Sequence, residues 1–203
     1  MIKNIIFDLA GVILNLNIER DTEALHAIGL PDYMGCLARP EICNPACAYL
    51  NGLTSAQVMC DAIRPYCRPD VRDEEIIDAM DAVLDDIPRS RLELLVELRQ
   101  RYRIFLLSNL YETAWDHTLR EFERNGFTPE QCFEEVFLSY ELGLAKPDLR
   151  IFQHVIQKTG IDPAETLYLD DTRENVDGGQ AAGLHAHLVP MNQLESLLPE
   201  LNL

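Results

Sequence analysis

Short apolar runs punctuate the chain at Ile2 to Asp8, Tyr102 to Ser108, Glu135 to Leu138, Thr166 to Asp170 and His185 to Val189. Runs of this length, rich in branched and aromatic side chains and bounded by turn formers, predict five buried strands. Helical periodicity fills the intervals: Ser90 to Gln100, Thr113 to Asn125 closed by Gly126, Leu149 to Thr159 closed by Gly160, and Arg173 to Ala182 closed by Gly183. Strand and helix alternate, which requires crossover connections. The expected fold is therefore α/β, a Rossmann-like doubly wound parallel sheet covered on both faces.

One interval breaks the rhythm. From about Leu16 to Ile87 there are helical stretches and turn signals but no buried strand, which predicts an all-helical insertion over 16–87 within a core of 1–15 and 88–203. Glu19 to Ile28 reads as a helix stopped by Gly29. Asp73 to Asp86 places Ile76, Ile77, Met80, Val83 and Leu84 on one face, and its acidic opposite face reads as solvated surface. Pro88 marks the return to the sheet.

Composition narrows the function. The 203 residues carry 47% hydrophobic and 25% charged side chains, as expected of a globular chain with a sizeable core. Acidic residues outnumber basic ones 34 to 17, a net charge of −17 that repels nucleic acid and anionic lipid. No stretch approaches the ~20 apolar residues needed to cross a bilayer. Asp8 interrupts the only apolar run near the start, so an export signal is not expected; the six cysteines then read as reduced thiols of a cytoplasmic protein. Five of them, Cys36, Cys43, Cys47, Cys60 and Cys67, lie in the insertion, but without a Cys-x-x-Cys pair they predict buried thiols rather than a zinc site. His185 and His187 share one side of a strand, where packing or solvent exposure is expected.

Chemistry concentrates at strand ends. Asp8, Ser108 and the pair Asp170 and Asp171 each fall where a predicted strand terminates, the edge at which open parallel sheets gather ligands. Carboxylates in one crevice repel one another unless protons or a divalent cation compensate, and oxygen donors favour a hard ion such as Mg2+. Lys146, one of three lysines beside Lys3 and Lys158, brings a positive charge to the same crevice.

Four segments, in order, resemble the motifs of the haloacid dehalogenase superfamily: Phe7-Asp8-Leu9-Ala10-Gly11-Val12, Leu107-Ser108-Asn109, Lys146-Pro147-Asp148 and Leu169-Asp170-Asp171. The helical insertion after the first motif is similar to the family's small cap domain. The resemblance implies that Asp8 is the nucleophile, forming a transient aspartyl phosphate. It implies Mg2+ held by Asp8, the backbone carbonyl of Ala10 and Asp171, with Asp170 direct or one step removed. Ser108, the Asn109 amide and Lys146 would hold and neutralise the phosphoryl group. Tyr33, Arg39, Tyr49, Arg64 and Tyr66 are candidates for lining the cap, with hinges near Leu14 to Ile18 and at Pro88.

Residue 10 departs from the family pattern. Phosphatases of the family carry a second aspartate there, which protonates the leaving oxygen and activates water, whereas a methyl group exchanges no protons. Family members that dehalogenate also lack this aspartate, but they use no metal, and Asp170-Asp171 argues against them. Phosphonoacetaldehyde hydrolases carry alanine there together with a cap lysine, yet no lysine occurs between Leu14 and Gln100. The expectation is a Mg2+-dependent phosphoric monoester hydrolase of a small phosphorylated metabolite, impaired at Ala10, by engineering ahead of natural loss. The alternatives are a non-catalytic phosphometabolite-binding protein and a phosphomutase.

Overall fold

The computed structural model describes residues 1–196, apart from the side chains of Tyr33 and Leu37. Strand β1 (Asn4–Phe7) is followed by five helices of the insertion: α1 (Ile18–Ala27), α2 (Tyr33–Leu37), α3 (Pro40–Leu50), α4 (Ala56–Ile63) and α5 (Asp73–Asp81). Then come α6 (Arg89–Leu98), β2 (Arg103–Ser108), α7 (Glu112–Asn125), α8 (Pro129–Cys132), β3 (Glu135–Leu138), α9 (Ser139–Leu142), α10 (Leu149–Thr159), β4 (Thr166–Asp170), α11 (Arg173–Ala181) and β5 (His185–Leu188).

The five strands form one sheet in the order β3-β2-β1-β4-β5, parallel throughout. Ile5 and Phe7 of β1 face the same core cluster as Ile104 and Leu106 of β2 and Leu167 and Leu169 of β4, which packs on α6 and α7 through Leu92, Leu95 and Phe122. The intervening Ile6, Phe105, Leu107 and Tyr168 point the other way, into a second cluster with Ile151, Phe152 and Val155 of α10 and Val176 of α11. Two-residue alternation on strands buried from both sides accounts for their uninterrupted hydrophobicity. His185 and His187 are exposed on either side of buried Ala186, and His185 meets the Ala164 carbonyl at 2.9 Å.

The insertion joins the core through a short antiparallel neck. Asn15 N–H donates to the Asp86 carbonyl at 2.9 Å, Asp85 N–H to Asn15 at 2.9 Å and Asn17 N–H to Val83 at 2.8 Å, with Leu16 bridging Leu84. This pairing corrects two sequence expectations. Helix α5 stops at Asp81 instead of Asp86, because residues 82–86 turn their backbone groups to the neighbouring crossing, so Leu84 belongs to the neck and not to the helix face. The second crossing therefore lies at Val83 to Asp86, ahead of Pro88, which is the N-cap of α6. No described helix is long and apolar enough to cross a membrane.

Candidate active site

The chain leaves β1 toward β2 and β3 on one side, then returns to place β4 against the other side of β1. Strand order reverses there, and the carboxyl ends of β1 and β4 border the resulting crevice. Asp8 directly follows β1, Asp170 ends β4 with Asp171 next to it, and Ser108 ends β2. Lys146 enters from the loop between α9 and α10, ahead of a cis peptide bond to Pro147. The sequence-predicted residues thus converge.

Lys146 is the hub. Its Nζ lies 2.8 Å from Asp8 Oδ1 and 2.7 Å from Asp170 Oδ2, and donates to the Leu107 carbonyl at 2.9 Å. The ammonium is 1% exposed and could not stay charged there unpaired. Burial opposes its charge, but the attraction of Asp170 and Asp8 outweighs this and raises its pKa.

The three carboxyls differ in how much of their bonding capacity the protein uses. Asp170 is saturated: Oδ2 takes Lys146 and the Tyr168 hydroxyl, Oδ1 takes Thr172 N–H at 2.8 Å, and the Asn175 amide reaches both oxygens. Burial pulls its pKa up, but Lys146 and these donors prevail and hold it below the usual value. Asp8 Oδ1 accepts from Leu9 N–H at 2.7 Å as well as from Lys146, while Oδ2 has no partner among the described residues. Burial pushes Asp8 up to about 7 against the pull of Lys146, with Asp170 and Asp171 adding repulsion. Asp171, raised to about 6 by burial and then by Asp170, meets only the Thr172 hydroxyl, through Oδ1.

These residues fit a hard divalent cation. Asp8, Asp170 and Asp171 each offer an oxygen within 4.8 Å of the others, the only such cluster of three or more His, Cys, Asp or Glu among the described residues. Three carboxyls against one ammonium leave net negative charge, and Asp8 Oδ2, Asp171 Oδ2 and the Ala10 carbonyl remain open. Gly11 closes the cradle: at φ 77° it lets the loop pass so near that a Cβ there would strike the Asp171 carboxylate. All-oxygen donors of this charge suit magnesium.

Ser108 is fully buried, its hydroxyl 3.4 Å from the Asn109 carbonyl. The Asn109 side chain is already engaged: Nδ2 donates to Asn51 Oδ1 at 2.7 Å and to the Lys146 carbonyl at 2.8 Å, and Oδ1 accepts from Lys146 N–H at 2.8 Å. Its backbone N–H is the amide left to meet an anion. Sequence reasoning missed Tyr168, Asn175 and Asn51. Tyr168 lies two residues before Asp170 on the same side of β4, and Asn175 lies in the first turn of α11, so both were within reach of periodicity arguments. Asn51 carries no such signal. Among the expected lining residues, Tyr49 is buried against Tyr111 with its hydroxyl 3.3 Å from Thr113, Arg39 and Tyr66 are exposed, and Tyr33 falls outside the described side chains. Arg64 is spent within the insertion, on Asp73 and the Val71 carbonyl.

Residues 2–183 match the family model of haloacid dehalogenase-like hydrolases. The chain belongs to that family. It is 29% identical over 185 residues to D-ribitol-5-phosphate phosphatase of Bacteroides thetaiotaomicron, covering 90% of this chain and 89% of that protein. A solved HAD family enzyme from the same organism is 33% identical, with a TM-score of 0.86 over 97% of this chain and 98% of its own. That enzyme has also been solved in complex with magnesium and inorganic phosphate, at a TM-score of 0.82 over 95% of this chain and 96% of its own. A HAD-like hydrolase from Porphyromonas gingivalis is 28% identical, with a TM-score of 0.85 over 100% and 97% of the two chains. This haloacid dehalogenase-like hydrolase thus shares nine-tenths or more of its length, insertion included, with relatives of the family.

Proposed function

We propose that the protein is a magnesium-dependent phosphoric monoester hydrolase for a small phosphorylated metabolite, slowed by alanine at position 10. The observation that carries the reading is the crevice in which Asp8 keeps Oδ2 unengaged while Lys146 fixes Oδ1 at 2.8 Å. The phosphatase relative and the magnesium and phosphate bound by the related enzyme support it.

In this reading Asp8 Oδ2 attacks phosphorus in line; the new O–P bond forms as the ester P–O bond breaks, giving an aspartyl phosphate and an alkoxide. Water then cleaves the acyl phosphate, returning the Asp8 carboxylate and releasing inorganic phosphate. Lys146, the Ser108 hydroxyl and the Asn109 backbone N–H hold the phosphoryl oxygens as charge shifts among them. Asp171, the Ala10 carbonyl and the Asp8 oxygen that does not attack would hold magnesium, which when bound supplies positive charge to offset repulsion between the carboxylate and the phosphoryl group. Asp170 acts through Lys146, keeping it charged and aimed. Ala10 offers no proton to the departing oxygen, so that proton must come from solvent. The helical insertion serves as the cap that excludes bulk water.

The test is a screen of phosphate esters with and without Mg2+, using this chain and Ala10→Asp. Hydrolysis that needs Mg2+ and rises in Ala10→Asp supports the reading; no hydrolysis by either, with no phosphate binding, overturns it. Ala10 itself favours a second reading, a binding protein that has given up turnover. Tight binding of phosphorylated ligands with no hydrolysis by either form would select that one.

A further inference from the structure

Helix α3 of the insertion ends against the core. Its C-cap, Asn51, is half-buried, and Asn51 Oδ1 accepts from Asn109 Nδ2 at 2.7 Å. Among the described residues this is the one hydrogen bond from an insertion side chain to any of the four segments that converge on the crevice. The next residue, Gly52, stands at φ 70°, and a Cβ there would lie 2.4 Å from the Leu110 carbonyl oxygen and 2.5 Å from Tyr140 Cβ. Glycine alone lets the turn come this close in that conformation. Tyr49 adds a ring contact with Tyr111, 4.5 Å between centroids. The end of α3 is thereby seated on residues 109–111.

Donor and acceptor roles along this contact are fixed at both ends. Asn109 gives one Nδ2 hydrogen to the Lys146 carbonyl at 2.8 Å and takes Lys146 N–H on Oδ1 at 2.8 Å, so its amide cannot flip without setting like groups face to face. The second Nδ2 hydrogen points to the insertion and needs an acceptor. Asn51 presents one because its own Nδ2 donates to the Cys47 carbonyl at 2.7 Å. The series of bonds ends at the reacting groups, since the same Lys146 places Nζ 2.8 Å from Asp8 Oδ1.

We propose that Asn51 is a positioning residue for the phosphoryl site: it orients the Asn109 amide, which grips the Lys146 backbone and so aims the ammonium. The inference rests on the reading of the Asp8 crevice as the phosphoryl site. Asn51 hydrogen-bonds to no reacting group, and its effect comes from order. Without that acceptor Asn109 must turn its spare hydrogen to water, and the amide that holds Lys146 loses one of its three anchors. Part of the attraction between Lys146 and a phosphoryl oxygen then goes into ordering the lysine. Mg2+ binding is spared, because Asp171 and the Ala10 carbonyl lie outside this series of bonds.

The test is calorimetric titration of the full chain with Mg2+ and then, in saturating Mg2+, with inorganic phosphate, repeated for Asn51→Ala, Asn109→Ala and the double variant. Asn51→Ala should weaken phosphate about fivefold, the worth of one hydrogen bond, and leave Mg2+ affinity where it was. Asn109→Ala should weaken phosphate further, and the double variant should be no worse than Asn109→Ala, because Asn51 acts only through that amide. Unchanged phosphate affinity in Asn51→Ala, losses that add in the double variant, or a loss of Mg2+ affinity equal to that of phosphate overturns the proposal, while phosphate binding by the unaltered chain leaves the Asp8 reading standing. Failure of phosphate to bind the unaltered chain defeats that reading and this proposal with it. Should a variant not fold, nuclear magnetic resonance of the unaltered chain decides: phosphate added in Mg2+ should shift the side-chain amide resonances of Asn51 and Asn109 together, and resonances that stay in place overturn the proposal.

Discussion

Lys146 Nζ lies 2.8 Å from Asp8 Oδ1, and this contact joins two residues 138 positions apart at the sheet's point of reversal. Replacing Lys146 by methionine would keep the stem and remove the charge, leaving Asp8 and Asp170 facing each other in a buried space. Loss of one partner from a buried ion network costs ~3–5 kcal/mol. Urea denaturation of Lys146→Met should show a loss of that size, partly recovered on adding Mg2+. A change under about 1 kcal/mol, the scale of a surface pair, would contradict the role given to this lysine.

Restoring a carboxyl beside Asp8 should restore turnover. General acid–base groups contribute ~10²–10⁴-fold, so kcat of Ala10→Asp should exceed that of the unaltered chain by that order on alkyl phosphates. The gain should shrink on p-nitrophenyl phosphate, whose leaving group departs without a proton. An equal gain on both substrates would argue that residue 10 does something other than transfer protons.

Protons and Mg2+ compete for the same oxygens. The Asp8 carboxyl titrates at about 7 and Asp171 at about 6 in the metal-free protein, both above the ordinary aspartate value. Below these values the two groups hold protons that a cation must displace. Mg2+ affinity, followed by calorimetry, should therefore be highest near pH 8 and fall as the pH is lowered through 7 and then 6, with proton release accompanying binding. An affinity independent of pH over that range would place the cation elsewhere.

Gly11→Ala tests the cradle. The left-handed backbone at φ 77° and the clash with Asp171 act together, and strain of this kind costs ~1–3 kcal/mol. Mg2+ affinity should fall along with thermal stability, since the loop can relax only by moving away from Asp171. A variant that loses stability but binds Mg2+ as before would separate the two effects and remove Gly11 from the site.

Much of the architecture was legible because it follows from short-range rules. Leu149 to Thr159 and Thr166 to Asp170 have the bounds predicted for them, since a left-handed Gly160 ends the first and a carboxylate ends the second. Helix α5 was read five residues too long because Val83 and Leu84 fit the helical stripe equally well. Only the distant Asn15 to Asn17 segment, by pairing with them, decides otherwise. The crevice was legible in its members but not in their division of labour: nothing in the order Leu169-Asp170-Asp171 tells that the first carboxyl is saturated and the second open.

The neck between Asn15 to Asn17 and Val83 to Asp86 brings the two ends of the helical segment side by side. A segment entered and left through one doorway can be exchanged whole. A foreign run of helices with equally close termini could be grafted at those two cuts without altering a single strand pairing, provided that it again offers Asn109 the acceptor that Asn51 supplies, so the scaffold that holds Asp8 can acquire new selectivity by swapping a cassette.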